Sequence, residues 1–165
     1  MTMSGDETDA SSEHMPDGER RSGPGPVVVG VDGSEGSRRA LEFAMDEAAW
    51  RAVPVHAVVA NDAPSLWEGV ATPAAPDLHE VARKEAASLV ESVVDARRCA
   101  GEPVPAIEIE VHSGPPAPVL ERLSRGATLL VVGHRGRGAV RSMLIGSVSL
   151  SCVVHAGCTV VVVRG

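Results

Sequence analysis

From Val131 to Ser149 the chain reads Val-Val-Gly133-His-Arg135-Gly136-Arg137-Gly-Ala-Val-Arg141-Ser-Met-Leu-Ile-Gly146-Ser147-Val148-Ser149. A hydrophobic run leads into a glycine turn, then an arginine-bearing loop, then a glycine-serine pair suited to opening a helix. These residue types hold phosphate. Glycines let the backbone approach an anion, and the free N–H groups of a helix start point at it. The chemistry implied is the binding of a nucleotide. Arg135 and Arg137 are placed for charge pairing with phosphate, against the alternative of solvated loop arginines, and Arg141 is a weaker candidate. His134 is the near-neutral titratable group of the loop, but the loop holds no acid to partner it as a general base.

Other reactive patterns are missing from the sequence. There is no Gly-x-x-x-x-Gly-Lys-Ser/Thr loop, and Lys84 is the single lysine, which argues against a P-loop mechanism. No Ser-His-acid or Cys-His constellation is legible. Asp32, with Glu35 just beyond it, supplies the acid near the phosphate turns, too little for a two-metal hydrolase. No catalytic residue and no protein-held metal is assigned. His56, His112 and His155 read as structural, and His79 as part of an exposed helix face. Cys99, Cys152 and Cys158 show no metal-ligand spacing and read as free thiols of a reducing compartment, which places the protein in the cytoplasm.

Such a loop needs a scaffold, and composition indicates which one. The chain has 165 residues, 44% hydrophobic, enough for one domain with its own core. Aromatics are limited to Phe43, Trp50 and Trp67. A core of Val, Leu, Ile and Ala fits a parallel sheet covered on both faces, and scarce aromatics argue against base-stacking surfaces. The net charge of −7 disfavours a nucleic-acid partner. After Glu121, however, no acid remains while six arginines do, a local positive field suited to an anionic ligand. Residues 1–25 hold six acids among Ser, Gly and Pro and are expected to form a disordered acidic tail, with the domain spanning 26–165. No stretch approaches a membrane span or a signal peptide.

Hydrophobic patterning predicts strands over 27–31, 54–60, 107–111, 128–132 and 159–163. Helices are expected over 34–51, from Pro76 to about Ala100, from Pro115 or Pro116 to Arg125, and over 147–156. Gly126 is expected to close the third helix and Gly157 to cap the fourth. Residues 61–75, broken by Pro64, Gly69 and Pro73, read as a long loop, either a lid or disordered. The alternation of Ile107-Glu108-Ile109-Glu110-Val111 suggests a wetter face near a sheet edge. This order calls for a doubly wound, five-stranded parallel sheet with right-handed crossovers. In the order 3-2-1-4-5, ligands bind at the carboxyl ends of strands 1 and 4. The turns Asp32-Gly33-Ser34 and the Gly133 loop follow those two strands.

In these two turns the chain resembles a universal stress protein. The nucleotide-binding form of that family carries glycine, two residues, glycine, nine residues, then glycine followed by serine or threonine. Gly133, Gly136 and Gly146-Ser147 match it fully, and Val31-Asp32-Gly33-Ser34…Ser37…Ala40-Leu41 is similar to the family's first strand and helix. Thr159 stands where a proline is common and Thr128 where an aspartate is frequent, both at strand ends. The resemblance implies an adenine-nucleotide α-hydrolase-like fold and ATP as ligand, with Mg2+ or Mn2+ carried on the phosphates. It places Gly30, Val31, Asp32 and Ala60 at the adenosine end. Val132, Gly133 and Gly136 admit the ribose and phosphates, with Arg135 and Arg137 nearby. Gly146, Ser147, Val148 and Ser149 take phosphate oxygens. Asp32 could instead cap the following helix or organise its turn, and Ser147 could be an N-cap. The family also implies a homodimer through the last strand, 159–163. The function expected is a nucleotide-dependent stress-response module that holds ATP without efficient catalysis. A nucleotide-independent dimeric interaction protein and a slow ATP hydrolase remain the alternatives.

Overall fold

The computed structural model describes residues 24–61, 78–136 and 144–164. Strands β1 (Val27–Gly30), β2 (Val55–Asn61), β3 (Ile107–Ser113), β4 (Leu129–Gly133) and β5 (Thr159–Val163) alternate with helices α1 (Glu35–Arg51), α2 (Leu78–Ala100), α3 (Pro116–Ser124) and α4 (Ser147–His155). The strands form one parallel sheet in the order β3-β2-β1-β4-β5, the doubly wound arrangement expected from the sequence. The loop expected over 61–75 and the helix start at Pro76 lie, apart from Asn61, outside the described residues.

β1 and β4 are almost entirely valine and leucine because both of their faces are covered. Val27 and Val29 point with Leu129 and Val131 to the side packed by α1 and α2, where Leu41, Met45 and Val93 are fully buried. Val28, Leu130 and Val132 point to the other side, against Val119 and Leu120 of α3 and Cys152 of α4. β3 differs, as its alternation predicts. Ile107 and Ile109 pack on the α2 side, while Glu108, Glu110 and His112 take the opposite face. Arg97 ties α2 to α1: its buried guanidinium meets Asp46 at 2.7 Å and Glu102 at 3.3 Å.

Several element ends differ from expectation, each for a local reason. α1 opens at Glu35, with Ser34 as its cap: the Ser34 hydroxyl accepts from Ser37 N–H at 3.2 Å. It closes on Ala52 in the left-handed region at φ 54°, unusual for a residue with a Cβ. Pro116, not Pro115, is the first residue of α3. That helix ends at Ser124 with Arg125 as its right-handed cap, so Gly126 supplies no left-handed closure. Gly157 likewise does not cap α4, whose C-cap is Ala156 in extended conformation. Gly157 is small for a different reason. A Cβ there would lie 2.9 Å from Arg125 Cγ and 3.0 Å from Arg125 Cα, and its N–H donates to the Ser124 hydroxyl at 2.8 Å. Thr128 ties the start of β4 to the segment before β1, donating to the Gly25 carbonyl at 2.6 Å.

The cysteines are free thiols. Burial, with Glu121 nearby, pushes the Cys152 thiol up to about 11, so it serves as a small apolar core side chain.

A methyl group at position 157 must displace the α3 terminus, whereas one at position 126 meets open space. Urea denaturation should therefore show Gly157→Ala losing about 1–3 kcal/mol, with Gly126→Ala neutral or slightly stabilising. Equal effects at both positions would contradict the packing role of Gly157.

Candidate functional site

At the carboxyl ends of β1 and β4 the chain leaves the sheet toward opposite faces, to α1 and to α4. The gap between these exits is a cavity of about 320 Å³, within the range of small-molecule sites. Gly30, Val31 and Asp32 line it from β1, Ala60 from β2, Val132 and Gly133 from β4, and Arg135 and Gly136 from the turn beyond. Gly146, Ser147, Val148 and Ser149 line it from the start of α4. The fold thus brings together the phosphate- and adenosine-site candidates read from the sequence, except Arg137 and the weaker candidate Arg141, which lie outside the described residues.

The Asp32 turn is built by its own carboxylate. Asp32 Oδ1 accepts from Ser34 N–H at 3.0 Å and from the Ser34 hydroxyl at 2.6 Å, while Gly33 takes φ 76°. Asp32 therefore organises the turn, and Ser34 caps the helix. On the other side, Gly146 N–H donates to the His134 carbonyl at 2.7 Å, closing the loop back onto the end of β4. The buried Ser149 hydroxyl donates to the Gly133 carbonyl at 2.6 Å and clamps α4 there.

Ser147 is not the cap of α4. Gly146 holds that position, and no side chain caps the helix. The first N–H groups of α4 therefore face the cavity as donors with the positive end of the helix dipole behind them. Among the described residues, Arg135 Nε and His134 Nδ1 are buried without a hydrogen-bond partner. Such groups are costly unless something else meets them.

The glycines fall into two kinds. A Cβ on Gly133 would sit 2.7 Å from the carbonyl carbon of Gly36, and one on Gly36 would sit 2.6 Å from the Arg135 carbonyl oxygen. Gly133 is therefore required by α1 packing across the end of β4. On Gly136 a Cβ would collide with Asp32 Oδ2. Gly146 is different. Its φ of −73° and ψ of 155° suit any residue, and its Cβ would come no closer than 3.4 Å to a protein atom. Nothing in the protein's own packing requires glycine at 146.

Four further residues line the cavity beyond those the sequence motifs indicate: Ser37, Val58, Pro116 and Leu120. Val58 was legible, since it shares a sheet face with Ala60 two residues on. Pro116 and Leu120 arrive from α3, whose placement over β1 and β2 is a tertiary outcome. Together with Val132 and Ala60 they give the cavity an apolar wall, opposite in character to the donor-rich start of α4. The ionisable groups among its described lining residues are Asp32 and Arg135. This arrangement can hold a ligand with a flat apolar part and an anionic part.

The model of the universal stress protein family matches residues 25–164. The universal stress protein Rv2623 of Mycobacterium tuberculosis is 39% identical over 145 residues, covering 84% of this chain and 45% of that protein. The chain spans about half the length of such curated relatives. Among solved structures, a universal stress protein in complex with cAMP is similar at TM-score 0.61 and 28% identity, covering 86% of this chain and 98% of that one. The universal stress protein of Archaeoglobus fulgidus in complex with dAMP is similar at TM-score 0.52 and 25% identity, covering 83% and 95%. Sheet order, glycine spacing and these matches agree: the chain belongs to the universal stress protein family.

Proposed function

We propose that the cavity between the exits of β1 and β4 binds ATP and that the protein is a nucleotide-dependent stress-response module. The observation that carries this reading is the juxtaposition of an uncapped helix start, α4, with an apolar wall of Val58, Ala60, Leu120 and Val132 in one cavity. The N–H groups of Ser147, Val148 and Ser149, the Ser147 hydroxyl and Arg135 take the phosphates. Arg137 extends that charge. The apolar wall takes the base, and Asp32 faces the ribose. The complexes of similar proteins with cAMP and dAMP support an adenine nucleotide. The ligand atoms for Mg2+ or Mn2+ come from the phosphates, because the described cavity lining offers one carboxylate, Asp32, already engaged with Ser34. With one carboxylate and no imidazole in that lining, the site holds nucleotide far better than it activates water.

A homodimer through β5 belongs to the same reading. β5 is an edge strand of valines, and Leu150, Val153 and Val154 of the adjoining α4 are exposed. Free thiols fit a cytoplasmic setting.

Calorimetry should show Gly146→Ala keeping the wild-type melting temperature while losing about tenfold or more in ATP affinity, at least about 1.4 kcal/mol. Gly133→Ala should instead lower stability by about 1–3 kcal/mol. Unchanged ATP affinity in Gly146→Ala would refute the phosphate assignment.

Chromatography of nucleotide released on denaturing the purified protein should give ATP. Only AMP or ADP, or ADP production above the no-protein background, would replace ATP storage with turnover, and no nucleotide at all would favour an interaction protein.

Sedimentation equilibrium at micromolar concentration should give twice the chain mass, with slow amide exchange along β5. A monomer, or a dimer leaving β5 unprotected, would remove the β5 interface.

A further inference from the structure

Outside the cavity, one cluster of side chains has the composition of a cation site. β2 and β3 pair in parallel with His56 beside Glu108 and Val58 beside Glu110. Side chains of one parity share a face, so His56, Glu108, Glu110 and His112 project from the same side of the sheet. His56 Nδ1 lies 2.6 Å from Glu110 Oε1, and His56 Nε2 lies 3.6 Å from Glu108 Oε2. One ligand atom from each of His56, Glu108 and Glu110 falls within 4.8 Å of the others. Bonds of about 2.0–2.1 Å in a tetrahedral site set such atoms about 3.3 Å apart, within the 4.8 Å that already spans the three ligand atoms.

We propose that His56, Glu108 and Glu110 bind a divalent transition-metal ion of the zinc class across the β2–β3 edge, with His112 as the positioning residue. His112 Nε2 meets the second oxygen of Glu110 at 2.8 Å. A metal-bound carboxylate is commonly oriented by such an outer hydrogen bond.

Two features separate this cluster from an ordinary surface ion pair. Among the described residues the partners of both carboxylates are imidazoles, with no lysine or arginine. Among the described residues, no permanently charged side chain neutralises these two carboxylates before a dication does. The inner groups are also partly desolvated, with the His56 and Glu110 side chains each 23% exposed. One imidazole with two carboxylates suits Zn2+ better than Mg2+, and three protein ligands leave a position for water. The site shares no residue with the cavity and does not depend on nucleotide.

The test is a calorimetric titration of the full chain, freed of nucleotide, with ZnCl2. One zinc equivalent should bind, weakened at least about tenfold in His56→Ala and Glu110→Gln, and about 10–100-fold in His112→Ala, with circular dichroism confirming the fold. In the wild type, substoichiometric Co2+ should broaden the amide resonances of residue 56 and of 108–112 first. No zinc binding, unchanged affinity in folded variants, or broadening centred elsewhere (at Cys99, Cys158 or His134) would overturn the site. Should a variant unfold, the wild-type broadening decides.

Discussion

The carboxyl end of the sheet depends on one contact, the backbone of α1 lying against the backbone at the end of β4. Gly133 lies against Gly36, and Gly36 against the Arg135 carbonyl, so closely that neither glycine has room for a methyl group. This lets β1 turn into α1 through Asp32-Gly33-Ser34 while β4 runs past it. The end of β4, fixed in this way, positions both β5 and α4. His134 N–H donates to the Val163 carbonyl at 2.8 Å, extending the pairing with β5. The Gly133 carbonyl receives Ser149, and the His134 carbonyl receives Gly146. α4 is thus anchored at its first turn by β4 backbone atoms, and its leading N–H groups are aimed by the sheet, not by a capping side chain. A site preorganised in this way does not need to order a loop to present its donors.

This constraint divides the glycines that the sequence motif treats alike. In the motif, Gly133, Gly136 and Gly146 are equivalent points of a spacing pattern. In three dimensions Gly133 answers to Gly36 and Gly136 to the Asp32 carboxylate, both inside the protein. A Cβ on Gly146 would meet protein atoms only at ordinary contact distance, 3.4 Å or more, so packing does not ask for glycine there. The part of the pattern that speaks for a ligand is therefore its last glycine, together with the bare helix start it introduces. The first two make the crevice possible by letting two loops touch.

Much of this was legible in the sequence because local and global signals agree. Unbroken valine and leucine runs mark strands buried on both faces, and the alternation at Ile107 and Glu108 marks one that is not. The alternating order calls for a doubly wound sheet, and the order 3-2-1-4-5 brings Asp32 and the Gly133 loop together. What escaped was tertiary. Glycine after a helix most often supplies a left-handed close, so Gly157 reads as a cap. Its actual neighbour, Arg125, lies 32 positions away in sequence. Of the two described residues that adopt φ above zero at a helix C-terminus, Gly101 carries the usual glycine signal and Ala52 carries none. Pro116 and Leu120 reach the cavity only because α3 packs over β1 and β2. His56 reads as a structural histidine and Glu110 as part of a wetter strand face until register sets their strands side by side.

The two sheet edges show what that register does. An exposed edge strand invites pairing, and charged side chains are one defence against it. β5 has none. Its valines pack toward α1 on one face and toward α4 on the other, so its faces stay apolar while its outer backbone edge is open. β3 lies at the opposite edge, on a face where α3 reaches β1 and β2, and there it carries Glu108, Glu110 and His112. Pairing a second strand beside those carboxylates would bury charge that the imidazoles alone must balance. The edges therefore differ in chemistry: β5 offers an apolar strand, and β3 a cluster of carboxylates and imidazoles. That asymmetry follows from where the four helices sit.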